Sequence, residues 1–172
     1  MKNLRTFIAG AVAMAAMAVA FPACSDDDDN RDISAVPPAF VQALDKVVPD
    51  AKNVKWEREG EYRVAEFYKN GVDYDVWFDA SAAWAMTEMD YGRDFMLVPH
   101  NAVNEAFSKG DYAYWKVDDI SYYEQTSDAF YVIEVEKAGQ PDTDLYYALD
   151  GTMRQAIPSA SSPDIFPGTV VP

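Results

Sequence analysis

The chain has a single cysteine and a single histidine in 172 residues. Cys24 has no second thiol to pair with, so no disulfide can form within the chain and the fold must be held by its core. His100 is the only imidazole. No spacing of Cys and His resembles a zinc site, and no serine has a His-centred arrangement beyond His100 itself. Standing where the second helix is expected to start, His100 reads as a surface or capping residue. Glycine is scarce, with 8 residues and no Gly-rich phosphate loop. Basic side chains are few, 14 Lys and Arg against 29 Asp and Glu. That balance excludes the basic stripe of a nucleic-acid binder and favours basic partners. No cofactor, metal or nucleic-acid partner is therefore expected.

Long apolar runs are also missing. The longest, Phe7 to Phe21, covers about 15 residues, short of the roughly 20 that a spanning helix needs. It follows Lys2 and Arg5 and ends at Phe21-Pro22-Ala23-Cys24, the layout of a secretory signal. The cysteine at its end resembles the bacterial lipobox, in which a small residue precedes a cysteine that is lipidated and becomes the first residue of the mature protein. Ala23 fits the small position; Phe21 stands where Leu is commoner. Residues 1–23 are then the signal and Cys24 the membrane anchor, through acyl chains that each contribute about 0.8 kcal/mol per buried methylene. Ser25, Asp26, Asp27, Asp28 and Asp29 follow. They form a solvated tether over 24–36 and resemble the acidic export tag that sends lipoproteins of some gut-type Gram-negative bacteria to the outer face of the outer membrane. The expected location is an outer-membrane lipoprotein, surface-exposed or else facing the periplasm. Four consecutive Asp lack the alternating ligands and Gly of a calcium loop. Without Lys2 and Arg5 the basic side chains fall to 12 while all 29 acidic ones remain, a net charge of −17.

Beyond the tether the period alternates between helix and strand. Residues 37–48 place Phe40, Val41, Leu44, Val47 and Val48 on one stripe, with Pro37 and Pro38 at the start and Pro49 at the end. Alternating strands follow around Val54 and Trp56, over residues 61–69 and over 72–79, the last two joined by Asn70-Gly71, a strong hairpin signal. Asp79-Ala80-Ser81 turns into a fourth run through Trp84. Residues 99–109 form a second helix with Val103, Ala106 and Phe107 inward and Gly110 as its stop. Strands from Trp115, Ala129, Thr143 and Thr152 complete a second set, with a turn at Gly139-Gln140-Pro141. The halves align with each other: Tyr62 to Phe67 lie over Phe130 to Val135, and Asp79-Ala80-Ser81 over Asp150-Gly151-Thr152. A repeat near 70 residues suits a duplicated half-domain. The expectation is an α+β fold of two tandem α-β-β-β-β repeats, residues 37–91 and 92–157, forming antiparallel sheet with its helices on one face. Residues 158–172, with four prolines, read as a loose tail from which Ile165 and Phe166 could dock.

The run Val54-Lys55-Trp56-Glu57, then Tyr62-Arg63-Val64-Ala65-Glu66-Phe67, then Val76-Trp77-Phe78-Asp79, resembles the PepSY-like family of small secreted bacterial proteins. Ala83 stands where that family usually shows Gly. The second half carries the pattern weakly, with Ile120-Ser121-Tyr122-Tyr123 in place of the Val-Lys-Trp-Glu string. The resemblance implies a fold like that of the β-lactamase inhibitory protein, with helices on one side of an antiparallel sheet and tandem copies joined into one concave surface. It also implies an inhibitor-like, non-catalytic protein.

Strand parity then selects candidate residues. If Ala65, Phe67, Val76 and Phe78 face the helices, then Tyr62, Val64, Glu66, Tyr68, Asp73, Asp75, Trp77 and Asp79 face away, joined by Phe130, Val132, Glu134 and Tyr146. Six of these, Tyr62, Val64, Tyr68, Trp77, Phe130 and Tyr146, form a candidate binding face, since Trp and Tyr dominate protein-binding hot spots. The same aromatics also suit plain cross-strand pairing or cover by the tail. Three functions fit: a protein-binding or inhibitor-like lipoprotein with a basic partner; a glycan-binding surface protein stacking sugars on Trp77 and Tyr68; and a hydrolase built on two of the many strand carboxylates, among them Asp73, Asp75, Asp79, Glu88, Asp90, Asp118, Asp119, Glu134 and Glu136.

Overall fold

A computed structural model describes residues 36–171. The signal, Cys24 and the acidic residues Ser25 to Asp29 lie outside the described residues. Among the described residues, no helix is long and apolar enough to cross a membrane.

The element order is α1 (Pro38–Val47), β1 (Lys55–Glu59), β2 (Tyr62–Lys69), β3 (Val72–Phe78), β4 (Trp84–Asp90), α2 (Asn101–Lys109), β5 (Lys116–Gln125), β6 (Ala129–Glu136), β7 (Thr143–Ala148) and β8 (Met153–Pro158). A helix followed by four strands thus occurs twice. All eight strands join one antiparallel sheet in sequence order. The seam is β4 with β5, where Met86 lies opposite Gln125 and Asp90 opposite Ser121. Asn70 and Gly71 take φ of 53° and 92°, both positive as a two-residue hairpin turn requires, and so fix the β2–β3 register.

Both helices cover the same face. Phe40 and Leu44 of α1 pack on Trp56, Ala65, Phe67, Val76 and Phe78. Val103 and Phe107 of α2 pack on Ile120, Tyr131, Ile133, Val135, Leu145 and Tyr147. The two clusters meet along the row Phe67, Tyr74, Met89, Tyr122, Tyr131 and Tyr147, each opposite the next across adjacent strands. The buried stripe of α1 is narrower than its sequence suggests. Val41 and Val47 are exposed, because one helix over five strand residues needs only its i, i+4 pair and Val48 to close the contact. His100 stands at the N-cap of α2, where its carbonyl accepts from the Val103 amide at 3.0 Å but its side chain makes no cap bond; it is half-buried rather than on the surface, and sets Nδ1 2.7 Å from the Tyr131 hydroxyl. Burial first, then the nearby Tyr74 and Tyr122, push the neighbouring Tyr91 hydroxyl up to about 12, against an opposing hydrogen bond with Tyr131.

The loops after β3 and β7 use one device. Asp79 Oδ1 accepts hydrogen bonds from the Ser81 and Ala83 amides and the Ser81 hydroxyl, and Asp150 Oδ1 accepts from the Thr152 amide. These bonds hold both carboxyls below their ordinary range. In the second loop Gly151 has φ of 85°, and a Cβ there would stand 2.5 Å from the Ala102 carbonyl oxygen of α2. The bare backbone is what lets the helix seat on the turn. Gly151→Ala is expected to cost about 1–3 kcal/mol through overpacking and strain. Gly60→Ala meets open space and should cost less; parallel urea denaturation of the two variants checks the difference.

Candidate functional site on the helix-free face of the sheet

Alternation along each strand delivers two kinds of side chain to the face without helices. One half is apolar. Val64, Trp77, Met86, Tyr123, Phe130, Val132 and Tyr146 form a buried cluster there, with Tyr62, Ala85 and Ile157 against it. The other half is acidic. Glu66 lies opposite Asp75 and Asp75 opposite Glu88; Asp73 lies opposite Asp90; Asp119 lies opposite Glu134, and Glu134 opposite Asp144. Like charges directly across adjacent strands destabilise a sheet, yet three such rows stand together here.

The apolar half is not open. The segment after β8 makes a 3-10 turn at Ser159–Ser161 and runs back over it, with Ile165 and Val171 joining the cluster and Phe166 meeting Trp77 edge-on at 5.8 Å between ring centroids. The parity expected for the six candidate residues is thus correct for Val64, Trp77, Phe130 and Tyr146, but their availability is not. All four are buried, Trp77 at 6% exposure. Tyr62 is half-buried against Trp77, and Tyr68 alone stays in solvent, 65% exposed. The physical reason is the tail. Rather than hanging loose, it docks through Ile165, Phe166 and Val171, which a Pro-rich segment can do without strand pairing. With Trp77 covered, the sugar-stacking platform of Trp77 and Tyr68 does not exist in this arrangement.

Among the remaining carboxylates, Asp118 and Glu136 pair with Lys116, and Arg93 also holds Asp118. Asp128 is held by Arg154 at 2.6 Å. Tyr123 donates to Glu88 Oε1 at 2.8 Å, Ser121 to Asp119 Oδ2 at 2.9 Å and Ser159 to Asp144 Oδ1 at 2.6 Å. Glu66 touches Glu57, and Asp119 touches Asp90, carboxyl to carboxyl. Among the described residues, no group of His, Cys, Asp and Glu is arranged to hold a metal ion.

Comparison with known proteins bears on this arrangement. Residues 61–155 match the family model described as beta-lactamase-inhibitor-like, PepSY-like. The chain belongs to this family. A BLIP-like protein of Bacteroides fragilis is 32% identical over 84% of this chain and 100% of its own, with a TM-score of 0.68. A DUF2874 family protein of Bacteroides uniformis is 30% identical over 70% of this chain and 88% of its own, with a TM-score of 0.61. A protein of Bacteroides eggerthii whose name places it in the periplasm is 27% identical over 70% and 86%, with a TM-score of 0.59. Among curated proteins none is significantly similar.

In this PepSY-like chain the acid rows alter the acidity of their members. Burial first, then the charges of Glu88, Glu66, Asp73 and Glu57, push Asp75 from an ordinary 3.8 up to about 7. Burial, then Asp90, also takes Asp119 to about 7, against the opposing bond from Ser121. Burial and Glu57 raise Glu66. The sequence places Glu66, Asp73, Asp75 and Glu134 on the face away from the helices; what strand parity leaves out is their direct opposition, which the count from Asn70-Gly71 already sets for Glu66 and Asp75. Between pH 3.8 and about 7 the folded chain keeps protons that the unfolded chain has released, so this contribution to stability falls as pH rises through that window. Asp75→Asn removes the charge at neutral pH and keeps the shape. It should raise the melting temperature by about 5 °C at pH 8 and change it little near pH 4; thermal scans at both values test this.

Proposed function

We propose that the chain is a non-catalytic, inhibitor-like binding module that holds a basic protein partner on the acidic half of its helix-free sheet face. The observation that carries this reading is the set of three rows of directly opposed carboxylates. Such rows cost folding stability, and a cationic surface laid over them would relieve the repulsion and gain from it. The membership in a beta-lactamase-inhibitor-like family supports the inhibitor class. On this reading the two helix-plus-four-strand sets are tandem copies of one unit, and the paired Asp79 and Asp150 turns support that. The module is exported, cut before Cys24, anchored through lipid on that residue, and carried by the Ser25 to Asp29 tether to the outer face of the outer membrane. The periplasmic name of the Bacteroides eggerthii relative supports an envelope location.

The test is capture from native envelope extracts with the chain of residues 31–172. Exposed Glu57 and Asp73 both lie on the acidic half. The double variant Glu57→Lys, Asp73→Lys should retain about tenfold less partner, and about 0.5 M salt should release the partner from the parent chain. Equal capture of the same protein by both chains, unaffected by salt, would overturn the assignment of the acid rows.

A further inference from the structure

The apolar half of the same face carries an inference about its own cover. Residues Ser159–Val171 lie on the sheet without joining it: β8 is the edge strand and has no further partner. Pro163 and Pro167 remove backbone donors along the segment. Its hydrogen bonds to the sheet and its turns are made by the Ser159 amide to the Asp142 carbonyl at 2.8 Å, Ser162 with the Tyr146 hydroxyl at 2.6 Å, Ser159 with Asp144 at 2.6 Å, and Gln125 with the Gly168 amide at 2.8 Å and the Thr169 carbonyl at 3.3 Å. Phe166 keeps much of its surface in solvent while its edge touches Trp77. Beneath it, Trp77 Nε1 is the one buried side-chain polar atom among the described residues left without a hydrogen-bond partner. A buried donor without an acceptor opposes the arrangement that buries it, so this cover is an imperfect fit to the surface under it.

We propose that Ser159–Val171 is a displaceable strap, and that the surface it covers receives in its place an extended apolar segment of the basic partner. The strap itself shows the chemistry the surface accepts: extended backbone, an isoleucine and an aromatic ring, with proline and glycine nearby. A partner segment that also offers a carbonyl oxygen to Trp77 Nε1 satisfies the donor that the strap leaves unpaired. Its cationic neighbours would then fall on the adjoining acid rows. The occupant rests on the function proposed above; the displaceability of the strap does not.

Two measurements without any partner decide displaceability. In the intact chain, the indole N–H of Trp77, assigned with Trp77→Phe, should exchange with deuterium at least about 100-fold faster than the amides of β6, because strap opening alone releases it. Exchange of that indole only at the rate of β6 would overturn the strap. A chain ending at Pro158 should bind the synthetic peptide 159–172 saturably, and the peptide with Ile165→Ala and Phe166→Ala about tenfold more weakly. Absence of peptide binding by a truncated chain that keeps its sheet signal in circular dichroism would overturn it too. If that chain does not fold, the indole measurement on the intact chain decides. The occupant is tested by capture: the strapless chain should retain severalfold more partner. Unchanged capture by a chain whose strap has been shown to open overturns the occupant alone, while loss of capture by every form overturns the function beneath it.

Discussion

The pairing of β4 with β5 is the constraint on which everything else depends. Five residue pairs, from Met86 with Gln125 to Asp90 with Ser121, turn two helix-plus-four-strand sets into a single sheet. A slip of one residue there would send every side chain of one half to the opposite face. In the observed register Met89 meets Tyr122 on the helix side, which fuses the two cores, while Glu88 meets Tyr123 and accepts its hydroxyl on the other. The acid rows of the first half therefore run on toward Asp119 and Glu134 of the second rather than ending at a domain edge.

The two faces are held by different means. Under the helices the aromatic and aliphatic rows interlock, and Tyr131 couples them to His100 by a hydrogen bond. On the far side the sheet divides between a patch apolar enough to need cover and a patch too acidic to cover itself. The strap answers the first with a few side-chain bonds and a small apolar contact. The chain's own cations answer the second only in part: Lys55 lies opposite Glu66, while the Lys116, Arg93 and Arg154 pairs engage Asp118, Glu136 and Asp128. A face of this kind is a poor stabiliser and a good complement to positive charge, which connects the packing to the function proposed for it.

Much of this was legible in the residues. The alternation Val64, Ala65, Glu66, Phe67 tells which side chains meet α1, and the burial of Ala65 and Phe67 with Val76 and Phe78 follows it. Asn70-Gly71 gives the β2–β3 register by counting. The β4–β5 register was not legible, because residues 91–115, with α2 among them, separate those strands and no turn residue fixes their offset. The strap was only half visible. Its composition forbids helix and central strand, and Ile165 and Phe166 stand out within it, but its seat is assembled from β2 to β7, whose joint surface no local pattern encodes. Val41 and Val47 match the helical period of α1 and are exposed all the same, since a single helix turned onto a sheet buries less than the full stripe its sequence offers.

The most direct measurement is native-state hydrogen exchange of the seam. If one sheet spans both halves, the amides of residues 86–90 and 121–125 that pair across β4 and β5 should open only with global unfolding, with the same free energy as those of β6 and its neighbours. Seam amides that exchange far faster, while β2–β3 and β6–β7 each stay protected, would mean two independent half-sheets and would remove the shared acidic face.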